Sequence, residues 1–224
     1  MSSGILAVWT DVAEHGTADF EEWYIRQHVN ERASCPGFLS GTRYSAIEGS
    51  PKVFAVYETE APEVLFSDAY QAQINNPTDW TRRVLPHFRG IVRTVMRVRA
   101  RQGEGRGGVC CTIRLEPAPE AESRLESWLV EQVLPALVAR PGVVRAELWQ
   151  AEPASALGET AESRLRQGPD RTARWALAVD AADEASLRRA VDELVPAAEL
   201  QRHGAAAGAE RGIYRLVYVR ASSW

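Results

Sequence analysis

"FEEWYIRQHVNERASCPG" (residues 20–37) and "LESWLVEQVLPALVARPG" (residues 125–142) are one stretch written twice. A shift of 105 positions, from 20 to 125, puts Phe20 on Leu125, Trp23 on Trp128, Gln27 on Gln132, Pro36 on Pro141 and Gly37 on Gly142. Tyr44 then meets Trp149, and Ala46 meets Ala151. With a longer insertion absorbed in the second copy, Phe54-Ala55-Val56 falls on Trp175-Ala176-Leu177. Arg89-Gly90-Ile91-Val92-Arg93 falls on Arg211-Gly212-Ile213-Tyr214-Arg215. Matches recurring in the same order mark a duplicated unit of about 100 residues, an ordinary small-domain size. The expected division is an N-terminal domain over 1–98, an exposed linker "RARQGEGRGG" over 99–108, and a C-terminal domain over 109–224.

Each copy has the same order of elements. In the first, Ile5 to Thr10 reads as a strand, and Thr17 is expected to cap a helix that stops before Pro36-Gly37. Phe38 to Ala46 and Lys52 to Glu58 read as strands. Pro62 to Ile74 reads as a second helix, and Asn76-Pro77 as the start of a short one carrying Trp80 and Val84. Ile91 to Val98 is the last strand. The second copy repeats this at 109–115, 121–139, 143–150, 174–179, 182–195 and 212–219. The fold class is therefore α+β, two ferredoxin-like βαββαβ units in tandem. Strands such as "ILAVW", "FAVY", "VCCTI" and "WALAV" are apolar on both alternating sets. Helices cover only one sheet face in this topology. The two sheets are thus expected to pack face to face as an intrachain α/β barrel.

The composition, 45% hydrophobic and 25% charged, is that of a globular chain, and a net charge of −4 argues against nucleic acid as a partner. No stretch of about 18 apolar residues suggests a membrane span. "MSSGILAVW" has no basic segment before its apolar run, so no signal peptide is expected. Cys35, Cys110 and Cys111 make no disulfide framework, which suits a cytoplasmic protein. No metal, nucleotide or dinucleotide signature is present. The histidines share no ligand spacing, and no cofactor or metal is expected.

The pattern F-x-x-W-Y-x-x-x-H-x-x-E-R-x-x-x-P-G-F from Phe20 to Phe38, followed by Arg43-Tyr44, resembles EthD-like proteins of the dimeric α/β-barrel superfamily. "SDAYQAQINNPTDWT" (67–81) resembles them as well. The resemblance covers residues 4–98 well, and 108–220 by topology and repeat only. It implies a fused, tandem form of that fold, with a pocket between helices and sheet of one unit. The superfamily spans monooxygenases, isomerases, cyclases, chlorite dismutases and haem-degrading enzymes, so the fold selects no reaction. One departure is Asn30, where EthD-like proteins often carry the proline of His-x-Pro; the second copy keeps Pro135 there but lacks the histidine.

At helical spacing, Phe20, Trp23, Tyr24, Gln27, His28 and Glu31 form one stripe. His28 is the leading candidate for acid/base chemistry, with Glu31 expected to orient its ring and Arg32 to pair with Glu31 or an anionic substrate. The competing reading is a core histidine bonded to backbone. The repeat weighs against it: His28, Glu31 and Arg32 become Val133, Ala136 and Leu137, so the fold does not require the polar set. Tyr57 becomes Ala178 by the same alignment and joins the catalytic candidates. Arg43 and Tyr44 point to opposite faces of their strand, and the sequence leaves open which one reaches the pocket. Trp9, Trp23, Tyr24, Tyr70 and Trp80 are candidate aromatic walls, each also readable as plain core. The Ala/Gly-rich insertion 153–172 is expected to be a mobile loop.

These readings lead to a cofactor-independent enzyme working on a small apolar or aromatic carbonyl or phenolic compound. It would be an isomerase, cyclase, dehydratase or monooxygenase, active in the N-terminal half and structural in the C-terminal half. The alternatives are a non-catalytic ligand-binding or assembly protein and a haem-binding barrel. Further pairing into a homodimer stays open.

Overall fold

A strand that is apolar on both faces needs cover on both, and this chain provides it by closing its sheet. The computed structural model describes residues 3–153 and 158–222. Its strands are β1 (Gly4–Val12), β2 (Phe38–Glu48), β3 (Val53–Thr59), β4 (Phe88–Gly103), β5 (Val109–Leu115), β6 (Val143–Ala151), β7 (Trp175–Ala181) and β8 (Glu210–Ala221). They form one closed barrel in the order β1-β3-β2-β8-β5-β7-β6-β4. Each half contributes four strands in ferredoxin order, β4-β1-β3-β2 and β8-β5-β7-β6, and the seams β2–β8 and β4–β6 join them. No described helix is long and apolar enough to cross a membrane.

The pleat sorts side chains cleanly. On β1, Leu6 and Val8 face the helices of the N-terminal half, while Ile5, Ala7 and Trp9 face the barrel interior. Cys111 packs under the C-terminal helices and Cys110 points inside. The interior is an aromatic pile: Phe54 lies 5.2 Å from Trp9, 5.4 Å from Tyr44 and 5.4 Å from Tyr214, ring centre to ring centre.

Strand register corrects the repeat alignment in two places. Leu6 pairs with Tyr57, and its equivalent Cys111 pairs with Val179. Tyr57 therefore corresponds to Val179, not Ala178, because a slip of one residue moves a side chain to the other face. Likewise Val8 pairs with Arg93 and Ile113 with Arg211, so Arg93 corresponds to Arg211 rather than to Arg215, four residues on.

The stretch expected as a linker is mostly strand. β4 runs on to Gly103 and pairs with β6 as far as Arg145. Its charges read as solvent-facing, yet Arg101 reaches Glu58 at 2.8 Å and Glu147 at 2.5 Å at one end of the barrel. Only 104–108 connect the halves.

The helix built from "FEEWYIRQHVNERA" is continuous over 17–33, but its pitch changes. Thr17–Trp23 is α-helical, Tyr24–His28 is a π turn, and Val29–Ala33 is α-helical again. Thr17 is its first residue rather than its cap, with Gly16 before it. The twin over 122–138 carries a π turn at the same place, Leu129–Val133. The turn after each helix closes on a glycine in the left-handed region, Gly37 (φ 82°) and Gly142 (φ 84°), just before the next strand, which explains the glycine of the repeated Pro-Gly. Beyond, residues 62–66 form a 3-10 turn and Asp68–Asn75 a separate helix capped by Ser67. Thr78, not Asn76, caps Asp79–Val84.

Candidate functional site

A π turn spends one residue more than an α turn, so every side chain after it sits one place later on the same face. Trp23 consequently meets His28 five residues on, ring stacked on ring with centroids 4.2 Å apart. After the turn Val29, Arg32 and Ala33 face the sheet, not Gln27 and Glu31. Gly41 on β2 makes room for this helix: a Cβ there would come within 2.9 Å of Val29 and 3.0 Å of Tyr57.

Between this helix and the sheet lies a cavity of about 30 Å³, room for a water molecule or two. Leu6 and Val8 of β1, Tyr57 of β3 and Ile91 and Arg93 of β4 form its floor. Trp23, Tyr24, His28 and Arg32 come from the helix, and Tyr70, Leu85 and Phe88 close its sides. Its roof comes from the other half. The insertion expected as a mobile loop contains a five-residue helix, Ala161–Leu165, whose Thr160 and Ser163 cap each other reciprocally. Glu162 and Arg166 of that segment line the cavity. Residues 154–157 of the insertion lie outside the described residues.

His28 is part-buried, and its Nδ1 is enclosed with no hydrogen-bond partner among the described residues. Burial, and then the positive charges of Arg32, Arg93 and Arg166, hold its pKa well below the ordinary imidazole value. It is therefore a neutral base at physiological pH. Arg32, 3% exposed, is ion-paired with Glu162 across 130 residues of sequence. Burial opposes its charge, but Glu162 and the hydroxyls of Tyr70 and Tyr57 more than offset this, and its pKa is raised. Its ring-facing guanidinium lies 5.8 Å from the Tyr70 ring centre, and its Nη1 has no hydrogen-bond partner among the described residues. Arg93 donates to the Tyr70 hydroxyl at 2.9 Å, and Arg166 donates twice to Asp170, at 3.1 and 2.5 Å. The Tyr57 hydroxyl donates to that of Tyr24 at 3.1 Å. Burial pushes Tyr24 up to about 12 and Tyr57 well above its ordinary value, so both remain hydrogen-bond donors.

Of the sequence candidates, His28, Tyr57, Trp23, Tyr24, Arg32 and Tyr70 come together around this cavity. Glu31 does not. The π turn carries it to a neighbouring hollow with Gln73, Pro77 and Thr78, so it does not orient His28. Burial raises its carboxyl pKa there. Trp9 and Tyr44 point into the barrel interior, where Trp9 donates to Thr112 at 3.0 Å and Tyr44 to Asp180 at 3.2 Å. Arg43 is on the helix side but is held bidentately by Glu21, over the rings of Phe20 and Tyr24. Neither Arg43 nor Tyr44 reaches the cavity. Trp80 sits beyond the wall and donates to Asp19 at 2.8 Å. The residues that sequence reasoning missed are Arg93, Glu162 and Arg166. Their signals were a charged residue on an otherwise apolar strand face, and the capped pattern "ETAESRLR" (159–166) inside the insertion.

No protein-family model matches the chain, and no curated protein sequence matches it. Solved structures do match in shape. An anthrone oxidase-like protein superposes with TM-score 0.70 at 13% identity, covering 100% of this chain and 94% of its own. A putative monooxygenase from Fusobacterium nucleatum gives 0.61 at 11% identity, covering 98% and 95%. A heme-binding protein from Thermus thermophilus gives 0.50 at 9% identity, covering 97% and 92%. They share the fold of this chain, a closed barrel built of two ferredoxin-like units. At these identities the likeness speaks for architecture alone.

Proposed function

We propose that this protein is a cofactor-independent enzyme that uses His28 as a general base on a small aromatic compound with a phenolic or enolisable carbonyl group. The observation that carries the reading is a neutral imidazole enclosed beside three guanidinium groups. A base kept unprotonated by its neighbours takes a proton readily once the product of that step is an anion those neighbours stabilise. Arg32 and Arg93, with the hydroxyls of Tyr57 and Tyr24, would hold the developing phenolate or enolate, and the Trp23 wall would hold the ring. The names of the fold neighbours, anthrone oxidase-like and monooxygenase, support an oxygenation of this anion over isomerisation or dehydration. In that reaction His28 removes a proton from carbon or oxygen, and the electron-rich anion reduces dioxygen. One oxygen atom enters the product and the other leaves as water. The motif from Phe20 to Phe38 supports EthD-like kinship for the N-terminal half.

The test is oxygen uptake by metal-free protein with 9-anthrone, which would yield anthraquinone and water. Uptake is expected to fall about a hundred-fold or more in His28→Ala and, in wild type, to stay level from neutral pH down past 6.5 before it falls. Uptake independent of His28 would sink the base reading. Ligand binding with no turnover would favour a binding protein.

A further inference from the structure

The cavity beside His28 is closed by a carboxylate from the opposite half. Glu162 reaches Arg32 from a short helix that packs on Asp68–Asn75, Asp79–Val84 and residues 85–87: the Ala161 N–H donates to Asn75 Oδ1 at 2.9 Å, and Leu165 packs on the N-terminal core. Farther along, the segment is fastened to β4, where Arg93 N–H donates to the Arg171 carbonyl at 2.8 Å and Arg171 N–H to that of Ile91 at 3.0 Å. The cap is thus anchored at its C-terminal end and held over the cavity by the Glu162–Arg32 pair.

The pair leaves Arg32 half used. A guanidinium matches a carboxylate through two parallel bonds, yet among the described residues only Nη2 is bonded, and Nη1 is buried with no hydrogen-bond partner. Arg93 and Arg166 stand nearby, and Glu162 and Asp170 are the facing carboxylates. Glu162 is the one carboxylate lining the inner cavity among the described residues, against Arg32, Arg93 and Arg166, so withdrawing it raises the positive charge there by one. On the outer side of the cap is a hollow of about 300 Å³, lined by Ser163, Arg164 and Asp170, which shares Arg93 with the inner cavity. That volume is at the lower end of the small-molecule range. Lifting the helix would join the two spaces.

We infer that Glu162 occupies the place of a substrate carboxylate: the substrate is an aromatic acid whose carboxylate displaces Glu162 from Arg32 as the helix 161–165 lifts. A neutral phenol or anthrone cannot make this exchange: it enters only at the cost of leaving Arg32 without a counter-charge, and is expected to be the weaker ligand and poorer substrate. The exchanging anion takes both Arg32 amino groups, and its ring lies along Trp23 and Tyr70 with the reacting group toward His28. Where the ring and its acidic proton go rests on the base reading above; the exchange at Arg32 does not.

The probes are 1-naphthoate and its neutral amide, 1-naphthamide, with affinity read by fluorescence. Wild type is expected to bind the naphthoate at least ten-fold more tightly than the amide. Glu162→Gln should tighten naphthoate binding by a further ten-fold and leave the amide unchanged. Equal affinities in wild type, no binding of naphthoate, or weaker naphthoate binding in Glu162→Gln would overturn the proposal. Should Glu162→Gln not fold, an Arg32→Met/Glu162→Met double variant removes both charges at once. There the preference for naphthoate must vanish, and its survival overturns the exchange. Glu162-dependent binding together with turnover indifferent to His28→Ala would keep the exchange and discard the base. His28-dependent turnover without Glu162-dependent binding would do the reverse.

Discussion

The helix over 17–33 and its twin over 122–138 have one backbone and two purposes. Both pass through a π turn after a buried tryptophan, and both are followed by a turn that closes on a left-handed glycine. In the twin the positions of His28, Val29 and Arg32 are Val133, Leu134 and Leu137, all buried in a continuous apolar core. π turns are often associated with functional sites. Here the feature appears in the apolar copy as well, so it belongs to the fold. What distinguishes the N-terminal half is what the turn delivers to its inner face.

The sharpest break of this comparison is to make the first helix like the second at its base. His28→Ala is expected to lower kcat by roughly a hundred- to ten-thousand-fold, the usual range for a general base. Val133→His in the twin should add no activity. Steady-state oxygen uptake on both variants checks this, and an unaffected His28→Ala would make the two helices functionally equal.

Arg32 tests the same contrast through stability. Arg32→Leu copies the twin's Leu137 but strands Glu162, a buried carboxylate, and should cost about 3–5 kcal/mol in urea unfolding. Adding Glu162→Leu should recover most of that loss, because the apolar arrangement is the one the twin already uses. A single variant as stable as wild type would mean that the pair contributes nothing to closing the cap.

Much of this architecture is legible in the sequence, for reasons that also mark where legibility stops. Strands apolar on both alternating sets require cover on both faces, and a duplicated unit supplies it, so the barrel follows from the residues. The site does not follow as far. A stripe drawn at constant period through residues 20–31 assigns Glu31 inward, but the π turn shifts the phase and brings Arg32 in its place. Parity identifies opposite faces at Arg43 and Tyr44 without saying that one ends at Glu21 and the other at Asp180. Glu162 and Arg166 lie in an insertion whose Ala/Gly-rich composition hides a capped helical turn. The partner of Glu162, Arg32, is 130 residues away, beyond any local pattern.

The pH response separates the halves more gently. The unfolded chain's His28 binds a proton below about pH 6.5. The folded chain does not, since burial and three arginines keep the imidazole neutral. The unfolded state then holds the extra proton, so stability falls as pH drops below about 6.5. The slope from this residue is about 1.4 kcal/mol per pH unit, down to the depressed folded-state pKa. Denaturant melts of wild type and His28→Gln between pH 7 and 5 should differ by that slope. Val133→Ala should leave it unchanged. Parallel wild-type and His28→Gln curves would mean that His28 titrates normally and the cavity is wet and open.

The smallest effect concerns how each copy finishes its π turn. In the first helix the Asn30 amide donates to the carbonyls of Ile25 (2.9 Å) and Arg26 (3.1 Å), next to the turn. Its own Oδ1 accepts from Tyr218 of β8 at 3.2 Å, tying the site helix to the other half. The twin has Pro135 at this position, which has no N–H to offer. Asn30→Ala should cost about 1–2 kcal/mol, the net worth of a few part-exposed hydrogen bonds. Asn30→Pro should cost less than the about 3 kcal/mol of a proline inside a regular helix, since Pro135 shows that the π turn tolerates one. Thermal melts of the two variants decide it. A full interior-proline penalty would mean that the two turns, alike in outline, are built on different bonds.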